Sequence, residues 1–293
     1  MNTLFRYLFL VFTGAVLVFA MTTCDVINDI QQEPEEPVRD NPLDPDGDNF
    51  NPPEAYITNG PNEGQVLSSP NVTFQWTTDN NSEVVEFAYR LGDNYSWSAW
   101  STNTQVNYPL LSEGSYNFQV KARYPERNNL EQETPDARSF EVNAVSGPAL
   151  MFKPRAVSLD GGDQFITTNF YVDEIQNVVG LKYVLQFDPD LLEVDSVYVD
   201  PDAISSDTDF ELISYVENDN ASSGQVAINA AFAGLPDGVS GSGTIGFIRF
   251  RVKTTSSFFN EFVNITPASE MRNGSNSQLF IRNRVPLVIN PSQ

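Results

Sequence analysis

The sequence has no histidine, a single cysteine and few cations. Its 293 residues include 16 Lys and Arg against 39 Asp and Glu, which gives a formal net charge of −23. Without histidine, nucleophilic catalysis of the Ser-His or Cys-His kind is excluded. One cysteine excludes an intramolecular disulfide and a thiolate metal cluster. A chain this acidic, with no basic stripe, would repel nucleic acid.

Long apolar runs with the 3.6-residue period of a helix are also missing. In their place the chain has 21 Phe, 11 Tyr and 3 Trp, together with much Val, Thr and Gly. Aromatic and β-branched residues favour strands, so we expect an all-β protein. The length allows two domains once non-globular segments are removed.

The N-terminus, MNTLFRYLFLVFTGAVLVFAMTTC, has the layout of an export signal over residues 1–23. Arg6 precedes an apolar run from Leu8 to Met21. The end of this segment resembles a bacterial lipobox, whose cysteine, here Cys24, carries the lipid anchor. Thr23 stands where Gly, Ala or Ser is commoner, so plain secretion or an uncleaved anchor are the alternatives. We expect an exported, lipid-anchored protein of the bacterial cell envelope, on the periplasmic side or the cell surface.

Residues 24–53 are acidic and rich in Pro and Asn, which predicts a disordered tether. Within it, Asp44, Asp46 and Asp48 alternate as in a Ca²⁺ loop. The glycine is one place early for an EF-hand, and Ala55 occupies the position of the final Glu. The alternating aspartates leave a Ca²⁺ site as an alternative, although the loop departs from the EF-hand pattern. No other cofactor is expected.

Residues 54–144 predict a first β-sandwich. Seven short strands are separated by Gly, Asn, Asp and Pro: AYIT, NVTFQWTT, EFAYRL, WSAW, TQVNYPL, SYNFQVKARY and ARSFEVN. Alternation places Val72, Phe74 and Trp76 on the core face. The order Leu111, Gly114, Tyr116 resembles the tyrosine corner of fibronectin type III and immunoglobulin-like domains. Residues 86–122 also resemble the triple-tyrosine sandwich of bacterial sensor proteins, which implies an immunoglobulin-like fold.

Trp97 and Trp100 lie three residues apart in SWSAW. Exposed together they could form an aromatic platform on which a sugar stacks. The structural alternative, which we favour, is that one ring packs on the core and the other caps a hairpin.

Residues 147–291 predict a second sandwich of nine strands: ALMFKP, FITTNFYVDEI, VVGLKYVLQF, LLEVDSVYV, FELISYV, QVAINAAF, GTIGFIRFRVK, FVNITPA and PLVIN. In the third strand, alternation points Leu181, Tyr183, Leu185 and Phe187 inward. Lys182, Val184 and Gln186 are then predicted to point outward.

The carboxylates Asp188, Asp190 and Glu193 lie around Pro189, directly after that strand. A glycosidase needs only two carboxylates, so a hydrolase is one alternative. Proline ends strand pairing and Asp188 can bond the backbone of the next residues, which favours a turn. We therefore expect no enzyme.

The stretch VVGLKYVLQFDPDLLEVDSV resembles the cohesin family, as do SSGQVAINAAF and GSGTIGFIRFRVK, in the same order. The resemblance implies a non-catalytic nine-stranded module related to carbohydrate-binding modules. Cohesins hold dockerin modules of polysaccharide-degrading enzymes, and a polar pair before the Asp-Pro helps to contact the partner. At the matching positions this chain has Lys182 and Gly180, and Gly180 offers no side chain.

The predicted binding face consists of Lys182, Val184 and Gln186 on one strand and Phe247, Arg249 and Arg251 on another. We expect a membrane-anchored binding or scaffolding lipoprotein that holds a dockerin-like protein or a polysaccharide. The main alternative is an envelope spacer without a ligand.

Overall fold

A computed structural model describes residues 52–79, 84–125, 130–159, 165–199, 204, 211–217, 223–235, 237–253 and 261–290. In these ranges the secondary structure is β, without α-helices, and all-β architecture is confirmed. No helix in the described ranges is long and apolar enough to cross a membrane. The predicted export signal and the tether up to residue 51 lie outside the described residues. Residues from 53 onward belong to one compact unit.

The first sandwich consists of two sheets. Its strands are β1 (Ala55–Asn59), β2 (Gln65–Leu67), β3 (Val72–Thr78), β4 (Glu86–Leu91), β5 (Gln105–Tyr108), β6 (Gly114–Tyr124), β7 (Leu130–Glu131) and β8 (Asp136–Val142). One sheet has the order β1-β3-β5 and the other β2-β8-β6-β4, with β7 paired to β6. Six of the seven predicted strands are present. WSAW is not a strand, and that prediction was wrong.

The second sandwich also has two sheets. Its strands are β9 (Ala149–Lys153), β10 (Ala156–Val157), β11 (Phe165–Val178), β12 (Gly180–Gln186), β13 (Leu192–Val199), β14 (Glu211–Glu217), β15 (Gln225–Ala233), β16 (Val239–Val252), β17 (Glu261–Ile265), β18 (Glu270–Arg272), β19 (Gln278–Leu279), β20 (Asn283–Val285) and β21 (Leu287–Ile289). One sheet has the order β10-β21-β17-β12-β15-β14, with β18 beside β12 and β19 beside β18. The other has the order β13-β16-β11-β9-β20. All nine predicted strands are present, with four short additional ones.

Aromatic rings fill the core of the first sandwich. Phe74 of β3 stacks on Phe118 of β6, with ring centroids 3.9 Å apart. Trp76 lies 5.9 Å from the Phe118 ring, so these contacts join the two sheets. The predicted tyrosine corner is confirmed, because the Tyr116 hydroxyl donates to the Ser112 carbonyl at 2.8 Å. Burial raises the pKa of Tyr116 to about 12, which keeps this hydroxyl a donor.

The core of the second sandwich follows the predicted alternation. Leu181, Tyr183 and Leu185 of β12 are buried in one cluster with Ile248 and Phe250 of β16. Because β12 and β16 belong to different sheets, this cluster holds the two sheets together. A fully buried aromatic or branched aliphatic side chain contributes about 1.5–3 kcal/mol by removal from water.

The segment after β12 is a turn, as the sequence predicts. The Asp188 carboxylate accepts the Asp190 N–H at 2.8 Å, and the Asp188 carbonyl accepts the Leu192 N–H at 2.9 Å. Gly224 packs against the start of this turn. Its φ is +71°, and a Cβ there would lie 2.0 Å from the Phe187 carbonyl oxygen, so only glycine fits.

Polar contacts join the two sandwiches beside the tyrosine corner. Ser112 Oγ accepts the Arg155 N–H of the second sandwich at 3.0 Å, and within the first sandwich the Glu113 carboxylate accepts the Ala144 N–H at 2.8 Å. The Arg155 guanidinium lies 3.7 Å from Glu113. Burial raises the pKa of Glu113, although the Ala144 N–H and Arg155 oppose that rise. Because a desolvated ion pair adds little net stability, its contribution here is to fix geometry.

Candidate functional site

The predicted binding face is divided between opposite sides of the second sandwich. Lys182 and Gln186 lie on β12, whereas Phe247, Arg249 and Arg251 lie on β16 in the other sheet. Alternation within a strand shows which side chains point away from the core, but it does not show to which sheet the strand belongs. The two groups of residues therefore form two separate surfaces.

Val184 was predicted to be exposed, and the structure shows that this was wrong, because Val184 is buried. The segment between β17 and β18 covers it. Ser269 Oγ accepts the Val184 N–H at 2.9 Å, and the Val184 carbonyl accepts the Thr266 N–H at 2.8 Å. This crossing segment satisfies the backbone of β12 where the strand partner changes from β17 to β18.

Gln186 is half-buried and its side chain has a local structural contact. Its amide nitrogen donates to the Ser223 carbonyl at 3.0 Å. The contact fastens the segment before β15 to the end of β12. The Gln186 side chain therefore stabilises the sheet and is not a free contact for a partner.

Lys182 has no such contact. It faces Asn229 of β15 on one side and Glu270 of β18 on the other in the strand register. Glu270 is bonded instead to Arg272, at 2.6 Å. Among the described residues, no carboxylate lies within salt-bridge distance of Lys182, so its charge is available to a partner.

A groove of about 340 Å³ lies beside Lys182 on the outer face of the sheet. Gly180 and Ala231 contribute to its lining, together with Ile213 and Tyr215 of β14. Ile213 and Tyr215 are 56% and 57% exposed. We call the surface formed by Gly180, Lys182, Ile213, Tyr215, Asn229 and Arg272 the β12 surface. It combines an apolar groove with a cation that has no salt-bridge partner among the described residues.

The surface on the other sheet, around β16, has its charges paired. Arg249 Nε donates to Asp195 at 2.6 Å, and Arg251 lies 3.5 Å from the same carboxylate. The hydrogen bond from Arg249 holds the pKa of Asp195 below its usual range. Arg249 also lies over the Phe165 ring, 4.8 Å from its centroid. These two arginines are held by their own neighbours.

Phe247 lies beside Tyr198 of β13, with ring centroids 5.5 Å apart. Tyr198 is 54% exposed. We call the surface formed by Arg249, Arg251, Phe247 and Tyr198 the β16 surface. The aromatic pair adds apolar area to it and no charge.

Trp97 and Trp100 form part of a ladder on the outer face of the first sandwich. Trp97 lies between Arg90 and Lys121, whose charged groups are 4.6 and 4.8 Å from its ring centroid. Trp100 lies between Lys121 and Arg123, at 5.1 and 4.4 Å. The ring faces that a sugar would need are occupied by cations. Neither alternative predicted for these rings, a sugar platform or a core and a hairpin cap, describes this arrangement.

The ladder also explains why WSAW is not a strand. Residues three apart in a strand lie on opposite faces, which would separate Trp97 from Trp100. The segment instead follows β4 with occasional backbone bonds, such as Ser98 N–H to the Tyr89 carbonyl at 2.9 Å. Both rings can then reach the same row of cations.

The carboxylates first considered for catalysis do not converge. Asp188 is held in its turn, and Asp190 and Glu193 are exposed. In the described ranges, no group of three acidic, Cys or His residues could hold a metal ion. Cys24 and the predicted Ca²⁺ ligands Asp44, Asp46 and Asp48 lie outside the described residues.

Sequence reasoning missed Ile213 and Tyr215. They alternate in FELISYV, so a strand pattern would have put them on one face together. The sequence does not show whether that face points inward or outward. In the structure Tyr215 pairs with Asn229 of β15, and the face points outward.

No protein-family model matches the chain, and the search of curated proteins found no relative. Several solved structures are similar to it. A non-cellulosomal cohesin from the archaeon Archaeoglobus fulgidus is 16% identical, and the match covers 50% of this chain and 91% of that one, with a TM-score of 0.35. The sixth cohesin of scaffoldin B from Acetivibrio cellulolyticus, solved with a dockerin, is 14% identical over 50% of this chain and 100% of that one, with a TM-score of 0.37.

A type II cohesin dyad from an adaptor scaffoldin of Acetivibrio cellulolyticus is 9% identical. The match covers 80% of this chain and 97% of the dyad, with a TM-score of 0.38. These structures are cohesins, the family that the motif order of residues 147–291 resembles.

Proposed function

We propose that this chain is a non-catalytic binding protein whose second sandwich holds a protein partner on the β12 surface. The observation that carries the proposal is Lys182, which has no salt-bridge partner in the described part of the chain, beside a groove lined by Ile213 and Tyr215. Apolar side chains exposed around a groove, with a charge at the rim, are typical of protein interfaces.

The partner is a dockerin-like module that places an apolar side chain in the groove and a carboxylate near Lys182. Charge complementarity supports this, because a local cation on a chain of net charge −23 selects an acidic contact. The cohesin-like motif order supports a dockerin-like partner and, with it, a role in polysaccharide degradation. The signal pattern and Cys24 support attachment to the cell envelope by a lipid.

Gly180 provides the sharpest test. Its φ is not in the left-handed region, and a Cβ there would lie 3.7 Å from Arg272 Cβ, an ordinary contact. Gly180→Leu should therefore fill the groove and leave the fold intact. We expect the wild-type chain to retain a secreted protein of the source in a pull-down. The variant should bind this protein, once purified, at least about tenfold more weakly in a calorimetric titration.

Thr167→Leu is the matched control, because it adds a similar side chain to an exposed position of β11 in the other sheet. It should bind as the wild type does. Lys182→Glu, which reverses the unpaired charge, should weaken binding by a similar factor to Gly180→Leu. Retention of the same proteins by the wild type and by both β12-surface variants would refute the proposal.

A further inference from the structure

Two adjoining cavities flank Tyr95 and Tyr116 in the first sandwich. One, of about 580 Å³, opens between the turn after β4 and the strands β6 and β8. The other, of about 540 Å³, extends from the same two tyrosines to Pro154 and Ala156 of the second sandwich. Leu91, Tyr95 and Tyr116 line both cavities, so the two adjoin, and together we call them the Tyr95 cleft. The cleft shares Arg90 with the tryptophan ladder and no residue with the β12 surface.

The Tyr116 ring of the cleft is held before any ligand arrives. Tyr116 stacks on Phe140 with centroids 5.5 Å apart, and its hydroxyl is bonded to the Ser112 carbonyl. Tyr95 lies above Gly92, whose φ of +106° shapes the turn, and 69% of Tyr95 is exposed. The exposed face of Tyr95, beside the fixed Tyr116 ring, offers apolar contact to a ligand.

Polar groups along the cleft lack partners of their own. Within the described part of the chain, no hydrogen bond is made by the hydroxyls of Tyr89, Tyr95 and Tyr108, or by the side-chain amides of Asn94 and Asn117. All five residues line the cleft. Hydroxyls and amides both donate and accept, so they match a ligand that carries many hydroxyl groups.

Arg90 and Asp93 compensate each other in the cleft, whereas Glu141, which also lines it, has no salt-bridge partner among the described residues. Arg90 is bonded to Asp93 at 3.0 Å and lies over Trp97, and the Gln119 amide donates to the same Asp93 oxygen at 2.8 Å. No free cation is left in the described lining to attract an anion, and the chain as a whole is strongly acidic. Each cavity, of about 580 and 540 Å³, also exceeds what a small organic cation would fill.

We infer that the Tyr95 cleft binds a neutral oligosaccharide chain. The apolar C–H face of one sugar ring stacks on Tyr95, and the hydroxyls of this and neighbouring rings bond to the tyrosine hydroxyls and to Asn94 and Asn117. This site is independent of the partner surface on the second sandwich. It gives the first sandwich a ligand of its own.

The test uses the full chain and calorimetric titration with neutral hexasaccharides: β-1,4-linked glucose, mannose and xylose, and α-1,4-linked glucose. We expect at least one to bind. Tyr95→Ala should weaken that binding at least about tenfold, whereas Tyr95→Phe, which keeps the ring, should stay within about threefold. Because Tyr95 is mostly exposed, the melting temperature of both variants should match that of the wild type.

Tyr198→Ala is the control, since it removes an exposed tyrosine from the second sandwich. It should leave hexasaccharide binding unchanged. Absence of binding to all four sugars would overturn the inference, as would equal binding by Tyr95→Ala, or tighter binding of hexagalacturonate, which is anionic. Gly180→Leu should not alter hexasaccharide binding, so failure here and failure of the partner proposal are distinguishable.

Discussion

The outer faces of the two sandwiches use the same kinds of side chain in different ways. On the first sandwich, Lys121 lies between Trp97 and Trp100 and is bonded to Glu131 at 2.5 Å. On the second, Lys182 has no carboxylate partner among the described residues, and Tyr215 beside it is largely exposed. A lysine near an aromatic ring can thus stabilise the fold or remain available to a ligand. Whether a carboxylate lies within salt-bridge distance distinguishes the two cases.

The second sandwich repeats this contrast between its two faces. Arg249 and Arg251 share Asp195, and Arg249 covers Phe165, as the ladder residues cover their tryptophans. On the β12 surface, Arg272 is paired with Glu270, and Lys182 has no salt-bridge partner among the described residues. We therefore expect changes in the ladder to affect stability and changes on the β12 surface to affect binding.

The largest effect should come from the cores, which test whether the two sandwiches are one cooperative unit. All three tryptophans, Trp76, Trp97 and Trp100, lie in the first sandwich, so tryptophan fluorescence reports on that half alone. Phe118→Ala removes a fully buried ring that stacks on Phe74, and should lower the free energy of unfolding by about 3–5 kcal/mol. Urea unfolding followed by fluorescence measures it.

Phe250→Ala is the matched change in the second core, where Phe250 is also fully buried. If the sandwiches unfold separately, it should leave the fluorescence transition in place and shift only the circular dichroism signal. If Phe250→Ala instead shifts the fluorescence and the circular dichroism transitions equally, the two cores unfold together. The junction at Glu113 and Arg155 would then couple them.

A smaller effect is expected from the ladder. Lys121→Met keeps much of the aliphatic stem but removes the charge that Trp97 and Trp100 share, and should cost about 1–2 kcal/mol in urea unfolding. Lys182→Met, the same change on the β12 surface, should cost less than about 0.5 kcal/mol. Equal losses would contradict the distinction between the two lysines.

A smaller loss of stability than that of Lys121→Met is expected in the turn after β12. Asp188→Ala removes the acceptor of the Asp190 N–H, and should cost about 1 kcal/mol in the free energy of unfolding. Asp188→Asn keeps a side-chain oxygen and should lose less. If Asp188→Asn instead left the melting temperature unchanged but abolished release of sugars from some polysaccharide, the catalytic interpretation would regain support.

The sequence predicts the strands and the core faces well, because both depend on local alternation. Leu181, Tyr183 and Leu185 are buried as predicted, and the proline turn begins at Asp188. The prediction of a single binding face was wrong for a physical reason. The two strands that carry its residues, β12 and β16, belong to different sheets. Alternation along one strand does not show to which sheet that strand belongs. The prediction that Val184 is exposed was wrong because a segment more than 80 residues later in the chain covers it.

The first and last strands of the second sandwich pair with each other in parallel. Ala149–Lys153 lies beside Asn283–Val285, and Ala156–Val157 lies beside Leu287–Ile289. A pull that drew the start of this sandwich away from its end would load these hydrogen bonds in shear, so that several must break together instead of one after another. We therefore expect this sandwich to resist such a pull more strongly than one whose terminal strands separate one hydrogen bond at a time.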